Sequence, residues 1–175
     1  PNRASMVDAR DAMLAADLLR FGGAHQDLLR NTFARFGLGE AATSDGGADT
    51  APIPDFTSPY AEEGTLTFRP TGAGGAPIVA QLYVGRYEAR SRPLADTDPA
   101  TELDDSVALV PGTYEILARA DGFGAQRSSV TVTATRRPRN LPVRMRPNLA
   151  SAHNGASASG DGVNLGALID DTEAT

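Results

Sequence analysis

The chain has 175 residues and a formal net charge of -6, and all 16 of its basic residues are arginine. It has no cysteine and two histidines far apart in sequence, which excludes disulfide and thiolate chemistry and disfavours an imidazole zinc site made by this chain alone. The acidic balance argues against nucleic acid as a general partner, and no run approaches a membrane span. The 18 glycines and 12 prolines, gathered in linkers, leave one compact domain of fewer than about 100 residues as the expected core.

The first residues, PNRASMVDARDA, carry neither an initiator methionine nor a signal-peptide apolar core, and read as an excision from a longer protein. Ser5 followed three residues later by Asp8 predicts a helix start related to the capping box, and Gly22-Gly23 predicts its end after Phe21. At helical spacing Val7, Leu14, Leu18 and Phe21 form one apolar face, and Ala9, Ala12, Ala16 and Leu19 form a second, so this helix calls for two packing partners. A second helix is predicted over Ala24 to Phe36. Its stripe is Leu28, Leu29, Phe33 and Phe36, with Asp27, Arg30, Asn31 and Arg35 opposite and Gly37 as the residue beyond its end. A two-helix hairpin cannot shield all these side chains, so the pair is expected to dock on the rest of the chain or on a second one.

Residues 40–63 are rich in Gly, Pro, Ala, Ser and acid and read as a linker, in which Ile53, Phe56 and Tyr60 are the candidates to pin it to a neighbouring surface. From Gly64 the period changes to two: Leu66 and Phe68, then Val130 and Val132, then Leu141, Val143 and Met145. Pro77 to Tyr87, Ser106 to Val110 and Thr113 to Ala120 bring the count to six or seven short strands. The clearest lies in ALVPGTYEILARA, residues 108–120, where Tyr114, Ile116, Ala118 and Ala120 share one sheet face. Pro111-Gly112 predicts the turn that opens it, with φ > 0 at the glycine, and Asp121-Gly122 closes it. With no helical run between the strands, the expected fold is mainly β: a small antiparallel sandwich preceded by an α-helical hairpin. Residues 148–175 are small and polar apart from Val163, Leu165, Leu168 and Ile169, and are expected to be mobile or merely laid over the sandwich.

Three resemblances carry the reading further. MVDARDAMLAADLLRFGGAHQDLLRNTFARFGLGEAA, with its Asp8-Ala9-Arg10-Asp11-Ala12 start, Ala15-Ala16-Asp17, Gly22-Gly23, and Phe33-Ala34 before Gly37-Leu38-Gly39, resembles the C-terminal helices of fungalysin-type zinc metallopeptidases. The family's His-Glu-x-x-His helix and downstream Glu ligand have no counterpart here. The resemblance therefore implies zinc for a parent enzyme but no cofactor, catalytic residue or metal ligand in this chain, which is expected to be inactive alone. TLTFRP, the PGTY turn, the Ala-Asp-Gly-Phe stretch at 120–123, VTVTA and LPVRM resemble the carboxypeptidase-regulatory-like domain, which implies a prealbumin-like sandwich of folding or adhesion type. Asn148-Leu149-Ala150-Ser151 and the segment 169–175 resemble the opening of a discoidin-like domain. The implied boundaries are 1–39, 40–63, 64–147 and 148–175.

Chemistry-bearing clusters weigh less. His25 is expected to be a buried or capping histidine near Leu29 and Phe36 rather than a metal ligand. Asp96, Asp98, Glu102, Asp104 and Asp105 read as a solvated acidic loop without calcium spacing. Arg136, Arg137 and Arg139, with Arg144 and Arg146 nearby, read as a charged turn between strands in preference to a polyanion patch. Gly72-Ala73-Gly74-Gly75 reads as a hairpin or loop tip, since no Lys or helix start follows. The functional expectation is the noncatalytic C-terminal portion of a secreted metalloendopeptidase. Its implied partners are an upstream catalytic domain and a protein substrate or cell-surface glycan. The alternatives are a stand-alone extracellular adhesion or carbohydrate-binding module and, more remotely, a small hydrolase.

Overall fold

A computed structural model describes residues 3–86 and 92–172. Tyr87, the end of one predicted strand, and residues 173–175 of the discoidin-like segment lie outside the described residues. Helix α1 spans Met6–Phe21, and its start is the predicted box: Ser5 Oγ accepts from the Asp8 amide, and the Asp8 carboxylate accepts from the Ser5 amide at 2.7 Å. Gly22 ends it at φ 64°, where a side chain would be strained, and the Gly23 amide reaches back to Asp17 O. Helix α2 is shorter than predicted, Gln26–Arg35.

The strands are β1 (Gly64–Thr71), β2 (Gln81–Val84), β3 (Ala95–Asp96), β4 (Ser106–Leu109), β5 (Gly112–Arg119), β6 (Phe123–Gly124), β7 (Gln126–Val132), β8 (Thr135–Arg144) and β9 (Arg146–Pro147). One sheet has the order β4-β1-β8, the facing sheet β3-β2-β5-β7, and β6-β9 is a small separate pair. All pairings are antiparallel except β1 with β8, which run parallel with Phe68 opposite Leu141 and Pro70 opposite Val143. The fold is the small, mainly β sandwich behind a helical hairpin that the sequence predicts; the period-two pattern of β1 and β8 identifies their inward residues but carries no sign of strand direction, so their parallel pairing is the one feature it does not foretell.

The inward alternation sets the core. Leu66 and Phe68 from β1, Leu141 and Val143 from β8, Leu82 from β2, Val130 and Val132 from β7, and Tyr114, Ile116 and Ala118 from β5 are all buried between the sheets. Ala120 and Met145 extend this core beyond the ends of β5 and β8. Tyr114 keeps its hydroxyl satisfied by donating to Val110 O at 2.6 Å. Burial pushes that hydroxyl's pKa up, with the nearby Arg35 cation pulling the other way. The turn before β5 differs from expectation in one respect: φ at Gly112 is not positive. A Cβ there would sit 3.0 Å from Arg35 Nε, the movable end of a side chain from α2, so the close neighbour of this glycine is a helix side chain and not a left-handed turn.

The predicted linker is folded onto both neighbours. Phe56 is buried in the sandwich core, edge-to-face with Tyr114 at 5.9 Å, while its carbonyl accepts from the Val110 amide. The same segment pairs with the end of the helical region, Gly39 N to Asp55 O at 2.8 Å and Asp55 N to Gly37 O at 3.0 Å. Gly37 sits at φ 79°, and a Cβ there would crowd the Phe56 ring at 3.1 Å. Of the three candidate anchors, Phe56 is the buried one; Ile53 and Tyr60 stay exposed, Tyr60 beneath the Arg30 guanidinium.

Candidate functional site

The helical pair buries a few polar and small side chains and leaves much of its apolar surface exposed. On α1 the buried positions are Arg10, Leu14 and Asp17, one stripe at helical spacing. Arg10 donates to the carbonyls of Gly39 and Leu38. Asp17 accepts from His25 Nδ1 at 2.7 Å, Gln26 Nε2 at 3.0 Å and the His25 amide. Burial raises the Asp17 pKa, but the hydrogen bonds from His25 and Gln26 outweigh it and hold the carboxyl below its ordinary range. On α2 the fully buried residue is Ala34, and Asn31 accepts from Ser58 Oγ.

The Leu28, Leu29, Phe33, Phe36 stripe meets the rest of the chain only in part: Leu29 and Phe33 are partly buried, as are Arg30 and Asn31 opposite, whereas Leu28 is 64% and Phe36 78% exposed. An amphipathic pattern says which side seeks cover, not which neighbour supplies it, and here hydrogen bonds and the small Ala34 decide the inward contact. On α1, the first predicted face is buried only at Leu14, with Leu18 and Phe21 exposed, and Leu19 on the second face is 86% exposed. His25 is not a buried histidine beside Leu29 and Phe36. Its ring is half exposed, makes no cap hydrogen bond, packs edge-to-face on Phe21 at 5.3 Å and binds Asp17.

A second polar constellation lies where residues 148–172 cross the sandwich. The Asp171 carboxylate accepts from the Gly122 amide at 2.9 Å, Asn148 Nδ2 at 2.7 Å and Ser151 Oγ, and Arg119 Nε donates to Asp171 O. Asn154 Nδ2 donates to Gly122 O at 2.6 Å. Burial raises the Asp171 pKa, and the bonds from Ser151, Gly122 and Asn148 overcome this to lower it. The tail is thus laid over the sandwich and tied there by side chains. Leu149, Val163 and Leu168 remain exposed, so it adds no core of its own. Sequence reasoning missed this clasp, whose only signal is polar residues recurring at Asn148, Ser151 and Asp171. Beside it is a cleft of about 460 Å³ lined by residues including Ile78, Ala80, Asp96, Arg119, Asp121 and His153.

The remaining candidates fall in separate places. Asp96 is buried, unlike the solvated loop expected, because its carboxylate accepts from the Asp98 amide at 2.7 Å and from Gln81 Nε2. Asp98 caps the Ala100 amide, and Asp105 pairs with Arg69. Gly72–Gly75 forms the tip between β1 and β2, closed by Gly72 N to Ala76 O, with Gly74 and Gly75 at positive φ. Arg136, Arg137 and Arg139 are not a turn but the exposed first half of β8. Proline at 138 reads as a breaker in sequence, whereas an edge strand tolerates it. Among the described residues no group of three or more His, Asp or Glu is placed to hold a metal ion, and His25 Nδ1 lies 2.7 Å from Asp17 Oδ1. No helix among the described residues is long and apolar enough to cross a membrane.

No curated protein matches the chain. A solved structure of the Caf1A usher C-terminal domain is similar over 49% of this chain and 99% of that domain, at 15% identity and a TM-score of 0.31. Residues 1–42, the stretch that holds both helices and the polar contacts between them, match the model of the fungalysin metallopeptidase (M36) family.

Proposed function

We propose that this chain is the noncatalytic C-terminal portion of a secreted fungalysin-like zinc metalloendopeptidase. In this reading residues 1–39 close the catalytic domain, 40–63 connect it, 64–147 form a carboxypeptidase-regulatory-like folding, adhesion or substrate-recruiting module, and 148–175 open a discoidin-like domain. The observation that carries it is the exposed apolar surface of the helical pair, within the stretch that matches the family model. Leu19, Leu28 and Phe36 are exposed, as expected of helices whose apolar sides belong against a further body of protein. The chain's own residues supply positioning. Arg10, Asp17 and Asn31 fix the hairpin, and Phe56 plugs the connecting segment into the sandwich, which supports a module carried at a set place beside the catalytic domain. Zinc and peptide-bond hydrolysis belong upstream.

The coding sequence before Pro1 tests this. A His-Glu-x-x-His helix there, with chelator-sensitive proteolysis by the longer polypeptide and none by residues 1–175, is the expected result. An upstream region holding only a signal peptide contradicts it and favours a stand-alone adhesion module.

A further inference from the structure

Charge is distributed unevenly along the chain. Residues 122–160 contain six of the 16 arginines and none of the 22 acidic residues. Five of the six, Arg136, Arg137, Arg139, Arg144 and Arg146, lie on β8 and β9, and all five are exposed. Among the described residues only Glu62 comes within ion-pair distance of any of these five, 3.6 Å from the almost fully exposed Arg136. By contrast Arg69, on the neighbouring strand, is neutralised by Asp105. At about 3.3 Å per residue, Arg136 and Arg144 stand about 26 Å apart along an extended strand, the length of an oligosaccharide of several units.

We infer that the β8 edge of the sandwich is a binding site for a linear anionic polysaccharide bearing sulfate or carboxylate groups. The inference rests on the sandwich alone and not on the peptidase reading. Arginine presents a planar fork suited to such anions.

Competing occupants fit less well. An added peptide strand needs backbone donors, and β8 lacks one on its free edge. Met145, at an odd position, donates toward the β1 side, and the register is regular from Arg139 to Arg144, so the even position Pro142 faces the free edge with no N–H. A membrane surface calls for exposed apolar anchors, whereas Val130, Val132, Leu141, Val143 and Met145 are all buried. A single-stranded nucleic acid calls for stacking aromatics, and β7, β8 and β9 contain none; a duplex is disfavoured by the net charge of -6.

The test titrates the full chain with a heparin-derived decasaccharide and with uncharged dextran of similar length. Binding to the first alone, weakening by roughly tenfold between about 50 and about 200 mM salt, is expected. The variant Arg137→Ser/Arg139→Ser/Arg144→Ser/Arg146→Ser should lose about 30-fold in affinity, four exposed pairs each contributing a factor of a few. Arg20→Ser on α1 should bind as the parent does. If the fourfold variant loses its cooperative melt, the 137/139 and 144/146 pair variants carry the same test, with about a fivefold loss each. The inference is overturned by absence of binding at low salt, by equal binding of variant and parent, by tighter binding to duplex DNA or anionic vesicles, or by arginine-dependent dimerisation in place of saccharide binding.

Discussion

Replacing Phe56 by alanine removes the one large side chain by which the segment between helices and sandwich enters the core. Its ring is buried against Tyr114, and the cavity left behind is walled by strand residues that cannot close on it without shifting the sheets. Large-to-small changes of this kind cost about 3–5 kcal/mol, including the lost edge-to-face contact. With about 2–4 °C of midpoint per kcal/mol for a chain of this size, a loss of about 4 kcal/mol lowers Tm by about 12 °C. Because Asp55 and Gly39 are paired in the same segment, the helices should also lose their seat, read as faster amide exchange at Gly39 and Asp55. Urea titration and a thermal melt followed by circular dichroism measure the first effect, and Ile53→Ala, at a position 41% exposed, is the control, with a loss under about 1 kcal/mol. If Phe56→Ala melts within a degree or two of the parent, Phe56 does not join the two parts.

Asp171→Asn should speed amide exchange across residues 148–172 while leaving β5 unchanged, since the neutral amide cannot accept from Gly122, Asn148 and Ser151 together; unchanged exchange in the tail contradicts the clasp. The carboxyl's folded pKa lies below its unfolded value of about 3.9, so its contribution is fully present above that value and is lost as pH falls through the folded pKa. The side-chain amide cross-peaks of Asn148, which donates to this carboxylate, should therefore change as pH falls below about 4, and cross-peaks unchanged down to about pH 2 would contradict the clasp. Tyr114→Phe should cost about 0.5–1.5 kcal/mol by urea titration through the unpaired Val110 carbonyl, and a neutral result would mean that water replaces the hydroxyl.

Much of the sandwich was legible because its signals are local. The inward residues of β1, β5, β7 and β8 follow strict alternation, and Ser5 with Asp8 specifies a cap whatever surrounds it. The parallel pairing of β1 with β8 was not legible, since alternation is the same in either direction. The strand character of 135–140 was hidden by Pro138 and three arginines, which an exposed edge accepts. Which part of the apolar stripe of α2 meets this chain was not legible, because Arg10, Asp17 and Asn31 make long-range hydrogen bonds that periodicity does not encode. The Asp171 clasp joins residues about 20 and 50 positions apart through side-chain geometry alone.

The central claim, that the outward faces of α1 and α2 are covered by an upstream domain, is open to direct measurement because the chain has no cysteine of its own. Leu19→Cys and Phe36→Cys, with Arg139→Cys as an exposed reference, are labelled with a thiol reagent in residues 1–175 and in the longer polypeptide that includes the preceding region, with labelling read peptide by peptide by mass spectrometry. The account predicts fast labelling of all three in residues 1–175, and strong protection at 19 and 36 but not at 139 in the longer polypeptide. Equal labelling at 19 and 36 in both would contradict it.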